Sequence, residues 1–143
     1  MGVIAKYKFN NTLEANLLPE FNSEFTSDLY TITDEVDSEN SNHIIRTIES
    51  DSLPTRINFG VGGTTEQYTN RSDSLLAIYN LDTSAVTDGN RMVKGCRYMT
   101  EINTSDWDTS NMVDMSGVFG YCTNLTSLDV SNSPIQFGKA GRK

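Results

Sequence analysis

Four carboxylates crowd one short stretch, Asp34, Glu35, Asp37 and Glu39, and the chain's single histidine, His43, follows them. Carboxylates gathered this closely can hold a divalent cation or share acid–base work. The stretch lacks the glycine at the sixth loop position and the glutamate at the twelfth that an EF-hand calcium loop requires. It reads as a solvated acidic tip, with a bound cation as the alternative. His43, in "SNHIIRT", would need an orienting partner to act as a general base, and the sequence displays none. A solvated or capping histidine is the plainer reading. "GVGG" from Gly60 to Gly63 lacks the Gly-Lys-Ser/Thr ending that places a charge and a hydroxyl on phosphates, so it reads as a tight turn or hinge. No catalytic residue, metal ligand or cofactor is assigned.

Cys96 and Cys122 are too few for a disulfide framework. They read as small buried hydrophobes sharing an inward-facing slot, with a bridge between neighbouring turns as the alternative. Four aromatic residues, Tyr79, Tyr98, Trp107 and Tyr121, are the candidates for a recognition surface, because rigid amphipathic rings dominate such contacts. For Trp107 the competing role is to plug a hydrophobic corner, since Leu81 stands at the matching position one repeat earlier.

These residues are positioned by a repeat. Displacing the sequence by 26 residues brings Asp82-Thr83-Ser84 onto Asp108-Thr109-Ser110, Asp88 onto Asp114, and Cys96 onto Cys122. Apolar positions match in kind: Val86 with Met112, Val93 with Phe119, Met99 with Leu125, and Ile102 with Leu128. Periodicity on this scale signals stacked units. Each Asp-Thr-Ser predicts a turn in which the carboxylate accepts a backbone N–H two residues on. Asp82/Asp108 and Asp88/Asp114 would then lie about 5 Å apart on successive rungs. Such like charges repel unless each is tied to backbone amides. Met112, Met115, Val118, Phe119 and Cys122 recur at steps of three and four, which predicts a short inward-packing helix. "LTSLDVS", with Leu125, Leu128 and Val130 buried, predicts a short strand.

Residues 1–72 carry no trace of the period. Alternating runs at 3–9, 30–33, 44–48 and 56–59 predict antiparallel strands, and residues 29–50 read as a hairpin with a long polar tip. Leu13 to Leu18 predicts one helical turn before Pro19. The organisation is therefore a β-rich capping or attachment region at 1–72, repeats at 73–132, and a tail at 133–143.

The 143-residue chain has a formal net charge of −8. That balance disfavours nucleic acid and anionic membranes, both of which reward clustered Lys and Arg. Lys139, Arg142 and Lys143 read as a solvated end. No stretch approaches the roughly 20 apolar residues of a membrane span, and the first residues do not read as a secretory signal.

The string from Trp107 to Asn132, "WDTSNMVDMSGVFGYCTNLTSLDVSN", resembles the BspA-like leucine-rich repeat of bacterial surface proteins and some phage-encoded proteins. Residues 81–106 match it more loosely, with Gly89 where the better unit has Met115. The resemblance implies an α+β protein: a β-rich N-terminal region capping a short leucine-rich-repeat solenoid of two to two-and-a-half units. It further implies adhesion or recognition rather than catalysis. Solenoids need about three units and capped ends, so a sister subunit or partner is expected to complete this one. The expectation is a structural or receptor-binding component of a virion or other extracellular assembly. Its partners would be other proteins of that assembly or a cell-surface receptor or glycan, without nucleic acid or membrane insertion. The alternatives are a bacterial cell-surface adhesin and, more distantly, a metal-dependent carbohydrate-active enzyme.

Overall fold

The computed structural model describes residues 2–60, 68–115 and 117–125. The N-terminal strand β1 (Gly2–Asn10) lies at the centre of the main sheet. Its alternation sends Ala5, Tyr7 and Phe9 into the core and Lys6 and Lys8 to the opposite face, as the two-residue repeat of a strand requires. The hairpin of β3 (Tyr30–Val36) and β4 (His43–Ser50) forms as its sequence predicts, with β4 pairing β1 antiparallel. On the other side of β1 runs β6 (Leu75–Leu81), also antiparallel, and beyond it β7 (Glu101–Ile102), parallel to β6. The sheet order is β3-β4-β1-β6-β7, so one mixed sheet carries strands from both sides of position 72. A second, two-stranded sheet pairs β2 (Glu20–Phe21) with β5 (Ile57–Asn58).

One buried polar group ties the loop after β1 to this sheet. Arg46 of β4 faces the core, stacks over Phe9, and forks onto Asp34 of β3 with two bonds of 2.7 Å. It also donates to Asn16 and, at 3.1 Å, to the Leu17 carbonyl, which Tyr7 bonds through its hydroxyl. Burial pushes the Tyr7 phenol well above its usual range, with Arg46 opposing that shift.

The α+β, leucine-rich-repeat solenoid expected from the sequence is not what the chain forms. Over the described residues the protein is mostly β, with one five-stranded mixed sheet beside the two-stranded one and no solenoid closure. The helix expected over Met112 to Cys122 is instead a succession of three-residue turns: the amides of Met112, Val118, Gly120 and Cys122 donate to Thr109, Met115, Gly117 and Phe119. Three-residue spacing of apolar groups serves such turns as well as it serves a helix, and the glycines at 117 and 120 disfavour helix. The helical turn expected from Leu13 to Leu18 is likewise irregular; the described residues hold one short α-helix, α1 (Asn70–Ser74), and a single 3-10 turn at Ser27–Leu29. It begins at a capping box between Thr69 and Ser72. The strand predicted at 125–130, with Leu128 and Val130, lies outside the described residues apart from Leu125; so do the tail at 133–143 and positions 61–63 of the Gly-rich stretch.

Candidate functional site

The repeated turns lie side by side, joined backbone to backbone. Gly89, Val93 and Gly95 donate to the carbonyls of Asp114, Val118 and Gly120 at 2.8, 3.1 and 2.7 Å, and Val113 donates to Thr87 at 2.8 Å. Asp88 and Asp114 form a parallel bridge. Upstream, Thr87 donates to Thr55 and Phe59 to Met92, so residues 55–60 line the first turn as the first lines the second.

The Asp-Thr-Ser turns form with the expected bonds. Asp82 accepts from the Ser84 amide at 3.1 Å and hydroxyl at 2.7 Å, and Asp108 accepts from those of Ser110 at 2.9 and 2.6 Å. The Ser110 hydroxyl, followed by its amide, holds the Asp108 carboxyl below its ordinary value. Thr83 is buried between the two turns, while Thr109 is half-buried. Cys96 and Cys122 are both buried free thiols, and the Cys122 thiol donates to the Val93 carbonyl at 3.1 Å. Burial, and then the neighbouring Cys122, push the Cys96 thiol well up. Phe119 and Leu125 are half-buried against the core.

The four candidate aromatics separate. Trp107 is 2% exposed and stacks on Phe119, ring centroids 6.0 Å apart, with no hydrogen-bond partner for its Nε1 among the described residues. Tyr79 is half-buried on β6, where its carbonyl accepts from Asn103. Tyr98 is 45% exposed, and Tyr121 is half-buried. These last two share a corner with residues that sequence reasoning passed over. The Arg97 guanidinium lies 4.0 Å from the Tyr68 ring centroid and 5.1 Å from that of Tyr98, and forks onto Asp73 with two 3.0 Å bonds. The Lys94 ammonium lies 5.5 Å from the Tyr121 centroid. The available signal was Arg91, Lys94 and Arg97 at steps of three in an otherwise acidic chain.

The backbone at this corner is unusual in a periodic way. Among the described residues, two that are not glycine have left-handed backbone: Arg91 at φ 61° and Tyr121 at φ 59°. One repeat later than Arg91 stands Gly117, at φ 70°, and one repeat before Tyr121 stands Gly95, at φ 81°. The turn thus has two left-handed slots, and at each slot one unit uses glycine and the other a long side chain. Glycine suits such a slot; an L side chain there costs about 1–2 kcal/mol.

His43 sits at the start of β4, its ring nitrogen 3.3 Å from the Asn40 amide. At the acidic hairpin, Asp37 pairs with Lys8 at 3.5 Å and Asp34 with Arg46. Among the described residues, no three His, Cys, Asp or Glu side chains converge as metal ligands, and no helix is long and apolar enough to cross a membrane.

No curated protein and no solved structure gives a significant match to the chain. The family model described as "Mycoplasma protein of unknown function, DUF285" matches residues 64–136, which spans half of the sequence and takes in the stacked turns. The chain belongs to the DUF285 family.

Proposed function

We propose that this protein is a non-enzymatic recognition module of an extracellular bacterial assembly, related to the BspA-like surface proteins that its repeat resembles. It works by presenting the corner of its stacked turns to a protein or glycan partner. The observation that carries this reading is the corner's set of tyrosines, Tyr68, Tyr98 and Tyr121, each with a cation over its ring. Aromatic and arginine side chains held rigidly at a surface supply much of the energy of recognition interfaces. The backbone bonds between turns supply the rigidity, so little conformational freedom remains to be lost on binding.

Two settings fit the reading, a virion and a bacterial cell surface. Antibody labelling of intact cells and mass spectrometry of purified particles distinguish them: signal on cells places the module at the envelope, and signal in particles places it on a virion. Confinement of the protein to the cytoplasm, with neither signal, would sink the proposal.

A further inference from the structure

The left-handed slots single out two side chains of the corner, Arg91 and Tyr121. Glycine is the unstrained occupant of each slot and does appear there, as Gly117 and Gly95. Arg91 and Tyr121 are the two departures, and both border the same lysine. The Lys94 side chain lies across the second turn's backbone, its Cγ and Cδ within 3.3 to 3.7 Å of where a Cβ on Gly117 or Gly120 would sit. Arg91 also borders Gly117, its Cγ 3.6 Å from the same point, and Lys94 reaches Tyr121. Strain kept at adjacent positions, where a strain-free residue stands one repeat away, points to side chains retained for what they touch.

Their chemistry narrows the ligand. Among the described residues the Arg91 guanidinium has no ion pair or hydrogen-bond partner. Arg97 is neutralised by Asp73, so Arg91, with Lys94 beside it, supplies the local positive charge on a protein of net charge −8, which selects an anion. Tyr121 adds a flat apolar surface suited to the C–H face of a sugar ring. The amides of Val93 and Gly95 are already bonded to the next turn, so this stretch offers little backbone edge to an acidic peptide in extended form.

We propose that Arg91 and Tyr121, supported by Lys94, form a subsite for an acidic sugar of a glycan chain: its carboxylate or sulfate on Arg91, its ring against Tyr121. This rests on the reading of the protein as a recognition module and names the ligand class of its corner.

The test uses the whole chain titrated calorimetrically at low ionic strength with three probes: heparin, neutral dextran, and poly-L-glutamate. Binding to heparin is expected, weakening with salt, and falling tenfold or more in Arg91→Gly and in Tyr121→Gly. Both variants replace a left-handed residue by glycine, so both are expected to melt at or above the wild-type temperature, which separates lost binding from lost folding. Three results overturn the subsite: no heparin binding by the wild type, undiminished binding by either variant, or poly-L-glutamate bound as tightly as heparin irrespective of Tyr121. Attachment of the chain to intact cells provides the separate readout. Attachment that persists in both variants removes the subsite and leaves the recognition module standing, whereas a wild-type chain that fails to attach removes the module itself.

Discussion

The Thr83 hydroxyl accepts a hydrogen bond from the Asp108 amide at 2.8 Å and donates one to the Asp108 carbonyl at 3.1 Å. One buried side chain therefore satisfies both backbone groups of a residue in the next turn. Thr83→Val keeps the shape and removes both bonds, leaving two polar groups unpaired in a part-buried place. It is expected to destabilise the protein by about 1–3 kcal/mol, read as a lower midpoint in urea, whereas Thr83→Ser is expected to retain most of the stability.

Gly60 is where the N-terminal region meets the first turn most closely. A Cβ there would lie 2.1 Å from the Arg91 carbonyl oxygen and 2.6 Å from the Lys94 nitrogen, both backbone atoms that cannot swing aside. Gly60→Ala is expected to cost about 3 kcal/mol, at the upper end of overpacking penalties. Gly89→Ala is expected to cost less, because its nearest obstacle is the flexible Met112 sulfur at 2.6 Å. Thermal melting of the two variants side by side checks the ranking.

Arg46 joins three segments, and lysine cannot reproduce its fork. Arg46→Lys and Arg46→Met are both expected to destabilise, by about 2 kcal/mol, a figure held down because Asp34 keeps access to water. Amide exchange should accelerate at Leu17 and its neighbours before it does on β1. Equal protection of that loop in the variants would show that Arg46 does not anchor it.

The depressed carboxyls set a direction for acid sensitivity. Hydrogen bonds from Arg56 lower Glu20 from its ordinary 4.5, and those of Ser110 lower Asp108 from its ordinary 3.8. Groups depressed in the folded state bind protons more readily when unfolded. Their stabilisation is complete above the ordinary values and is lost as pH falls through the depressed ones. Stability should therefore decline below pH 4.5. Ser110→Ala should bring the Asp108 titration back toward 3.8, as followed by carbon NMR of its side-chain carboxyl.

The two cysteines give a simple chemical readout. Thiolate is the reactive form, and burial disfavours it at Cys96. Neither thiol is expected to react with Ellman's reagent at neutral pH in the folded protein, and both should react once denaturant is added. Prompt reaction of either in the native state would contradict the burial of both.

Alternation was the part of the fold most legible in the sequence. The runs that became β1 and β4 show it directly, because alternate residues of each reach the core, whereas β3 alternates in sequence yet lies exposed at the sheet edge. The repeat was legible too, and its register appears as backbone bonds between residues near 89 and 114. What those units do individually was not. Met115, Val118 and Cys122 are spaced as a helix would space them, yet consecutive turns bury the same positions. The decisive difference is backbone sign at Arg91 and Tyr121, residue types that do not announce left-handed geometry as glycine does. The pairing of β1 with β6 joins segments some seventy residues apart, and no local pattern encodes it. At the corner of the stacked turns, rings were the visible signal and cations the overlooked one, since Arg and Lys ordinarily read as solvated surface.

The central place of β1 also has a consequence for how the chain reaches its fold. The strand leaves the ribosome ahead of the partners on its two edges, β4 and β6, which follow roughly forty and seventy residues later. At about 5–20 residues per second of synthesis, β1 waits for several seconds with its ladder unfilled. Loop closure over such separations is slow, and an unpaired strand rich in Val, Ile, Tyr and Phe is an open template for other chains. Lys6 and Lys8, alternating along the strand, place charge on its waiting face and so discourage premature pairing.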